Sequence, residues 1–310
     1  MHTLIEPIAD IGRREFIIGG LSAGALLAAC GSDDAGSAST DAPTTRTITD
    51  SRGAAEVPVS PSRVAALVGS AEIDVMLLGL EPVFSGTYAE GWVELPEGIA
   101  TSDTVPPSIE AVARAKPDLL IGWHWLSEDP TWVSLGEIAP AVTLPDEGSD
   151  WRSVFRLVAN AVNRPDEAET VLADYDARVA ELRAKIDQQP PITVAMLGSF
   201  EPGKFWWWEP DYEANQHMAS VGIGIDGPAE RGRDLSYENL SDVTAPWIIL
   251  TGSPGTDDGT DDLMSSPLWA ELPAAKNDQV IVVDRDLWGG AGVMWAYALL
   301  DDIERIFATT

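Results

Sequence analysis

The stretch DEAETVLADYDARVAELRAKIDQ, from Asp166 to Gln188, has the longest regular hydrophobic pattern in this chain. Its apolar residues recur at intervals that place them on one face of an α-helix. Pro165 suits the first turn of such a helix, and Pro190-Pro191 stop it. The sequence therefore predicts one long helix of about 33 Å at the middle of the chain. Its predicted buried face consists of Val171, Leu172, Tyr175, Val179, Leu182 and Ile186.

Length and composition favour two domains, one on each side of this helix. The chain has 310 residues, which exceeds the size at which a single core usually stops growing, and 45% of them are hydrophobic. Its formal net charge is −31, whereas binding to nucleic-acid phosphates requires a basic surface. We therefore expect no nucleic-acid partner.

The first thirty residues resemble a bacterial export signal. Arg13-Arg14 precede an apolar run, residues 16–29, that is shorter than the roughly 20 residues of a membrane-spanning helix. The arginine pair resembles a twin-arginine signal, and Leu-Ala-Ala-Cys, which ends at Cys30, resembles a lipobox. In the alternative, this is an ordinary signal peptide with an incidental cysteine. We expect a signal peptide with a lipobox over 1–30 and a lipid on Cys30, the only cysteine in the chain.

The remainder reads as a tether followed by two lobes. Residues 31–45 are small and polar, as is typical of a flexible tether. Apolar runs that fit buried strands then alternate with helical patterns, which predicts parallel sheets covered by helices. We assign an N-terminal α/β lobe to 46–150, a connecting helix to 151–189 and a C-terminal α/β lobe to 190–310. The predicted fold is two Rossmann-like α/β lobes joined by one long helix, with a ligand cleft between the lobes at the carboxyl ends of the strands.

Five stretches, in this order, resemble the solute-binding proteins of ABC importers, in the long-helix class that serves ferric siderophores, haem and cobalamin. They are PSRVAALVGSAEIDVMLLGLEPV (61–83), SIEAVARAKPDLLIG (108–122), LGEIAPAVTL (135–144), LSYENL (235–240) and SPLWAELPAAKNDQVIVVD (266–284). The resemblance implies a ligand held between two lobes and delivered to a membrane permease. It also implies that Glu110 and Glu238, one in each lobe, dock onto arginines of the permease. In the alternative, each is an acid that its own helix end favours.

Aromatic residues are frequent in the predicted cleft loops, and their flat faces suit a large, partly planar ligand. Iron complexes of catecholates or hydroxamates and porphyrins are ligands of this kind. The aromatic candidates for ligand binding are Tyr88, Trp92, Trp123, His124, Trp125, Trp206, Trp207, Trp208 and Trp288. In the alternative, several of the tryptophans are core residues. Three in a row at 206–208 place rings on both faces of a strand, so at least one should face the cleft or the solvent.

Basic residues are scarce after Pro190, and four of them fall in candidate cleft loops: Lys204, Arg231, Arg233 and Arg285. The planar donor set of arginine matches carboxylate and catecholate oxygens. We therefore add the three arginines to the ligand-binding candidates and expect an anionic iron chelate. In the alternative, these arginines pair with neighbouring aspartates at the surface.

The sequence shows no coherent catalytic or metal-binding pattern. The acidic run 257–262 lacks the alternating ligands of a calcium loop, and two histidines outside the signal are too few for a zinc site. We therefore expect a monomeric receptor rather than an enzyme, without a cofactor, lipid-anchored to the outer face of the cell membrane. It would pass a ferric siderophore to an ABC importer permease. The alternatives are haem, with His124 or Tyr88 on the iron, cobalamin, a receptor without a permease, and an enzyme that uses the same cleft.

Overall fold

A computed structural model describes residues 44–67, 71–86, 95, 97–102, 104–145, 150–229, 232–256 and 258–308, apart from the side chain of Arg233. The predicted signal, Cys30 and nearly all of the predicted tether lie outside these residues. Within the described part of the chain, no helix combines the length and the apolar character needed to cross a membrane.

Two compact units make up the described chain. The first contains the described residues up to 145 together with Ser153–Ala168. The second contains 150–152 and the described residues from Glu169 onward. The long helix crosses the boundary between them.

The first unit is built on a parallel sheet, because its apolar runs alternate with helices. Its elements are β1 (Thr45–Asp50), β2 (Gly53–Pro58), β3 (Val64–Ala66), α1 (Ala71–Leu77), β4 (Phe84–Ser85), β5 (Ala100–Thr101), α2 (Ile109–Ala115), β6 (Leu119–Trp123), α3 (His124–Ser127), α4 (Thr131–Gly136) and β7 (Ala141–Leu144). Among the described residues, the parallel strands lie in the order β5-β4-β3-β6-β7. The strands β1 and β2 form a separate antiparallel hairpin.

Two helices occupy the segment 151–189, where the sequence analysis assigned a single connecting helix. They are α5 (Trp151–Ala161) and α6 (Pro165–Ile186). The long helix α6 is the predicted one, and five of its six predicted apolar residues are buried, whereas Val179 is half-buried. Tyr175 on this face also contacts His217, with its hydroxyl oxygen 2.6 Å from the imidazole Nδ1.

The second unit has a mixed sheet. Its elements are β8 (Thr193–Gly198), β9 (Lys204–Trp207), α7 (Glu213–Ser220), β10 (Gly224–Asp226), β11 (Gly232–Ser236), a 3-10 helix (Tyr237–Asp242), β12 (Trp247–Thr251), α8 (Thr260–Ser265), a 3-10 helix (Trp269–Glu271), α9 (Pro273–Lys276), β13 (Val280–Val283), α10 (Arg285–Gly289) and α11 (Val293–Phe307).

The strand order is β11-β9-β8-β12-β13, and β10 pairs with the first half of β8. Strands β8, β12 and β13 are parallel, as predicted, but β9 runs antiparallel to both of its neighbours. It does so because the chain turns back directly after β8 through 199–203 instead of crossing over by a helix. The predicted α/β fold class is confirmed in both units.

The buried face of α6 generates a stability prediction. Leu182→Ala removes a side chain that is 3% exposed, so we expect the free energy of unfolding to fall by about 2–5 kcal/mol. Val179→Ala, one turn away and half-buried, should cost clearly less. Chemical unfolding of both variants tests this, and equal losses would contradict the assigned buried face.

Candidate functional site

Loops that follow three neighbouring parallel strands meet at one edge of the second unit's sheet. The strands β8, β12 and β13 are adjacent, so their carboxyl ends lie side by side. β8 continues into Ser199 and Phe200, β12 into the segment before α8, and β13 into Asp284 and Arg285. Because ligands of parallel sheets bind beyond this edge, these loops are the candidate binding region of the second unit.

Strand β9 sends aromatic side chains in two directions, as the three consecutive tryptophans predicted. Phe205 and Trp207 are buried in the core, whereas Trp206 lies on the opposite, more exposed face together with Lys204. The indole Nε1 of Trp207 donates to the carbonyl oxygen of Asp226 at 2.9 Å. Trp207 therefore belongs to the core, whereas Trp206 is partly exposed.

Four aromatic residues form a continuous row of ring contacts that we call the aromatic wall: Phe200, Trp206, Trp208 and Tyr212. Ring centroids are 4.2 Å apart between Phe200 and Trp206, 5.1 Å between Trp206 and Trp208, and 4.2 Å between Trp208 and Tyr212. Phe200 is 42% exposed and Trp208 only 7%. The Phe200 end of the wall is thus accessible, while Trp208 within it is buried. Sequence reasoning identified Trp206 and Trp208 but missed Phe200 and Tyr212.

Arg285 is fixed at the exposed end of this wall. Its Nη2 donates to the carbonyl oxygen of Ser199 at 2.6 Å and to Oδ2 of Asp258 at 2.7 Å. Its guanidinium carbon lies 4.3 Å from the ring centroid of Phe200, a cation–π distance. The predicted ligand-binding arginine is therefore held in one position by contacts on two other loops.

Asp258 connects the segment after β12 to this arginine. Besides accepting from Arg285, its carboxylate accepts from the backbone N–H groups of Ser253 and Thr260, both at 2.9 Å. Partial burial raises the pKa of the Asp258 carboxyl, but hydrogen bonds from Thr260 and Ser253 and the charge of Arg285 outweigh it and hold the pKa below its ordinary value. Asp258 is therefore a charged partner of Arg285.

Carboxylates of the acidic run 258–262, after β12, accept hydrogen bonds that hold this loop in place. Asp261 Oδ2 accepts from the backbone N–H of Gly255 at 2.8 Å, and Asp262 Oδ2 accepts from the Tyr237 hydroxyl at 2.7 Å. Gly259 has a φ of +82°, and a side chain there would collide with the backbone of Glu201. The run thus packs its loop against the loop that follows β8.

Among the described residues, two further candidates are engaged in contacts within the chain. Trp288 has no exposed surface, and its Nε1 donates to Asp302 Oδ2 at 2.8 Å, so it is a core residue. Lys204 forms an ion pair with Glu201, which raises the pKa of the lysine. Tyr88, Trp92, Arg231 and the side chain of Arg233 lie outside the described residues.

In the first unit, β6 places its predicted residues at a carboxyl end as well. Trp123 is half-buried and packs on the core, His124 is half-buried, and Trp125 is 39% exposed. The ring of buried Trp132 covers Gly122, where a Cβ would lie only 2.8 Å from it. Trp125 is therefore the most exposed aromatic residue at the end of β6.

Two buried acids that sequence reasoning missed lie in α1. Glu72 has no exposed surface and Asp74 is 2% exposed. Among the described residues, both carboxyl oxygens of Glu72 and Oδ1 of Asp74 are buried without a hydrogen-bond partner. Burial raises the pKa of Glu72 to about 7, and burial together with the neighbouring Glu72 raises that of Asp74 to about 8. At neutral pH this pair therefore retains protons.

The two predicted docking residues both lie in the first turn of a helix and are exposed. Ser108 caps α2, and its hydroxyl donates to Oε2 of Glu110 at 2.9 Å. The local backbone and this hydroxyl hold the pKa of Glu110 below its ordinary value. Glu238 lies in the first turn of the 3-10 helix after β11. This placement suits a docking contact and equally suits an acid favoured by its helix end, so the docking role stays a prediction.

No group of three or more His, Cys, Asp or Glu side chains among the described residues is arranged to hold a metal ion.

Comparison with known proteins gives one consistent result. Residues 64–287 match the family described as periplasmic binding protein. The probable siderophore-binding lipoprotein YfiY of Bacillus subtilis is 27% identical over 92% of this chain and 95% of its own length. The iron(3+)-hydroxamate-binding protein FhuD of Bacillus subtilis is 26% identical over 84% of this chain and 86% of its own length. The crystal structure of Staphylococcus aureus SirA with staphyloferrin B shares the fold, with a TM-score of 0.68 and 22% identity over 84% of this chain and 98% of that one.

The buried acids generate a pH prediction. Both pKa values are higher in the folded unit than the ordinary values of 4.5 and 3.8, so the unfolded chain releases these protons first. Stability from the pair is thus complete below about pH 4 and is lost as pH rises through about 8. We expect Glu72→Gln with Asp74→Asn to stabilise the chain at about pH 8 relative to about pH 5 by more than about 1.4 kcal/mol.

Chemical unfolding at the two pH values measures this difference. Glu137→Gln, an exposed acid of the same unit, is the control and should give the wild-type pH dependence. An unchanged pH dependence in the double variant would show that the two carboxyls ionise normally.

Proposed function

Because this chain belongs to the periplasmic binding protein family, we propose that it captures a ferric siderophore outside the cytoplasm and delivers it to an importer permease. The observation that carries this proposal is the aromatic wall, whose exposed end lies beside a fixed arginine at the carboxyl edge of a parallel sheet. Exposed rings beside an oriented guanidinium suit an organic iron chelate that presents both flat ligand groups and oxygens.

Names of the relatives favour a siderophore over haem or cobalamin. One relative is named for siderophores and another for ferric hydroxamates. We therefore keep haem, with His124 or Tyr88 on the iron, as the second candidate only.

The proposed contacts are three residues that the sequence suggested, together with Phe200, which it did not suggest. Phe200, Trp206 and Arg285 present accessible surface on the second unit, and Trp125 does so on the first. Trp207 and Trp288 are omitted because their rings are buried. For Tyr88, Trp92, Arg231 and Arg233, the ligand role stays a prediction from sequence.

Location and partners complete the proposal. Export by the signal at 1–30, by the twin-arginine route, and a lipid on Cys30 would keep a monomeric receptor at the outer face of the membrane. Glu110 and Glu238 would guide it onto the permease, since exposed charges favour encounter and register more than affinity. The role needs ligand binding and release only, so we propose no catalysis and no cofactor.

The aromatic wall generates a binding prediction. Trp206→Ala should weaken the binding of a ferric siderophore about tenfold, because contact with an aromatic ring contributes about 0.5–1.5 kcal/mol beyond the area it buries. Titration of the purified chain against ferric catecholates, hydroxamates and citrate, followed by tryptophan fluorescence, measures the change.

The matched control is Trp247→Ala. Trp247 is the first residue of β12, so it lies at the end of the strand away from the candidate binding region, where it packs on Phe307. The substitution therefore removes an indole while leaving the wall intact. Equal affinities of the two variants would show that the wall does not contact the ligand. A wild-type response to haem alone would replace the siderophore proposal, and no response to any ferric chelate would overturn it.

The docking acids generate a transport prediction. Glu110→Ala with Glu238→Ala should lower siderophore uptake by cells severalfold while the affinity for the siderophore stays unchanged, because the docking charges act on encounter with the permease. Glu137→Ala with Asp242→Ala removes two other exposed acids, one from each unit, and should leave uptake unchanged. If both pairs behave alike, these glutamates are ordinary helix-end acids.

A further inference from the structure

The described charges at the exposed end of the aromatic wall nearly cancel. Arg285 is paired with Asp258 and Lys204 with Glu201. A further carboxylate, Asp234, accepts from the indole Nε1 of Trp206 at 3.3 Å. Within the described part of the chain, this surface therefore offers a ligand two cations that are already paired.

Asp258 is the better shielded of the two acidic partners. Its side chain is 14% exposed, whereas that of Glu201 is 54% exposed. Water screens an exposed ion pair strongly and a half-buried one much less. The charge of Asp258 therefore reaches a neighbouring ligand with less attenuation than that of Glu201.

The pair is also fixed in place. Arg285 is held by the Ser199 carbonyl and the Phe200 ring, and Asp258 by two backbone N–H groups. Neither charge can move away when a ligand arrives without breaking these contacts. A chelate that touches Arg285 thus meets the field of the carboxylate as well.

Resting on the proposed function, we propose that Asp258 is a specificity-determining residue that limits how much negative charge the bound chelate carries. It does so by offsetting the charge of Arg285 without itself contacting the ligand. At an effective dielectric constant of about 20, a unit charge about 8 Å from an anionic chelate changes its affinity by tenfold or more before salt screening. The affinity for a neutral chelate of the same shape does not depend on this charge–charge interaction.

The test uses three linear ferric trihydroxamates that share their iron-binding groups and differ in one pendant group: an amine, an acetamide or a carboxylate. A ferric tris-catecholate serves as a fourth and more strongly anionic probe. The quantity measured is the ratio of affinities between anionic and neutral probes, by fluorescence titration of the full chain at low and at high salt. We use a ratio because a substitution that weakens the binding of every probe by the same factor leaves the ratio of their affinities unchanged.

In Asp258→Asn, we expect the anionic-to-neutral ratio to rise about tenfold at low salt and less at high salt. The matched control is Asp261→Asn, which removes an acid of the same run that accepts from Gly255 instead of Arg285. Its ratio should stay within about twofold of wild type, since its exposed charge is more strongly screened by water and salt. Arg285→Gln provides a second variant, in which the ratio should fall.

An unchanged ratio in Asp258→Asn, or equal shifts in both aspartate variants, would overturn the inference. The proposed function would still stand, provided that the wild-type chain binds the ferric probes. Uniform loss of affinity for all probes would show that Asp258 only holds its loop, and would overturn the inference too. If the wild-type chain binds none of the probes, the proposed function fails, and this inference fails with it.

Discussion

The ion pair between Arg285 and Asp258 organises the candidate binding region of the second unit, because its two partners follow different strands. A third loop joins them through the carbonyl of Ser199. Parallel strands determine where such loops begin, but they leave the side chains free. Here the ion pair fixes the positions of the loop side chains. The aromatic wall depends on this pair because Phe200 lies against the guanidinium of Arg285.

The regular elements could be predicted because each has a simple signal. The long helix repeats its apolar residues at the helical period, and strands such as β6 and β12 are continuous apolar runs buried within a sheet. Helices α8, α9 and α10 are too short to display a period, so nothing in the sequence distinguished them from loops. The antiparallel direction of β9 left no signal of its own, because it follows from the turn at 199–203.

The site could be predicted only in part, for a different reason. Trp206 and Arg285 stood out as residue types, but Phe200, Tyr212 and Asp258 join them only through the folded sheet. The partners of the acidic run, which are backbone N–H groups, one arginine and the Tyr237 hydroxyl, left no local pattern in the sequence. Glu72 and Asp74 escaped because acids in a first helical turn normally face solvent.

The alternation along β9 has a consequence for how such a receptor diversifies. Phe205 and Trp207 belong to the core, whereas Lys204 and Trp206 belong to the opposite face. Substitutions at the second pair leave the packing of the first untouched, so the more exposed face can change during evolution while the scaffold persists. A lineage that inherits this strand can thus acquire a new chelate preference one neighbouring position at a time, without passing through unfolded intermediates.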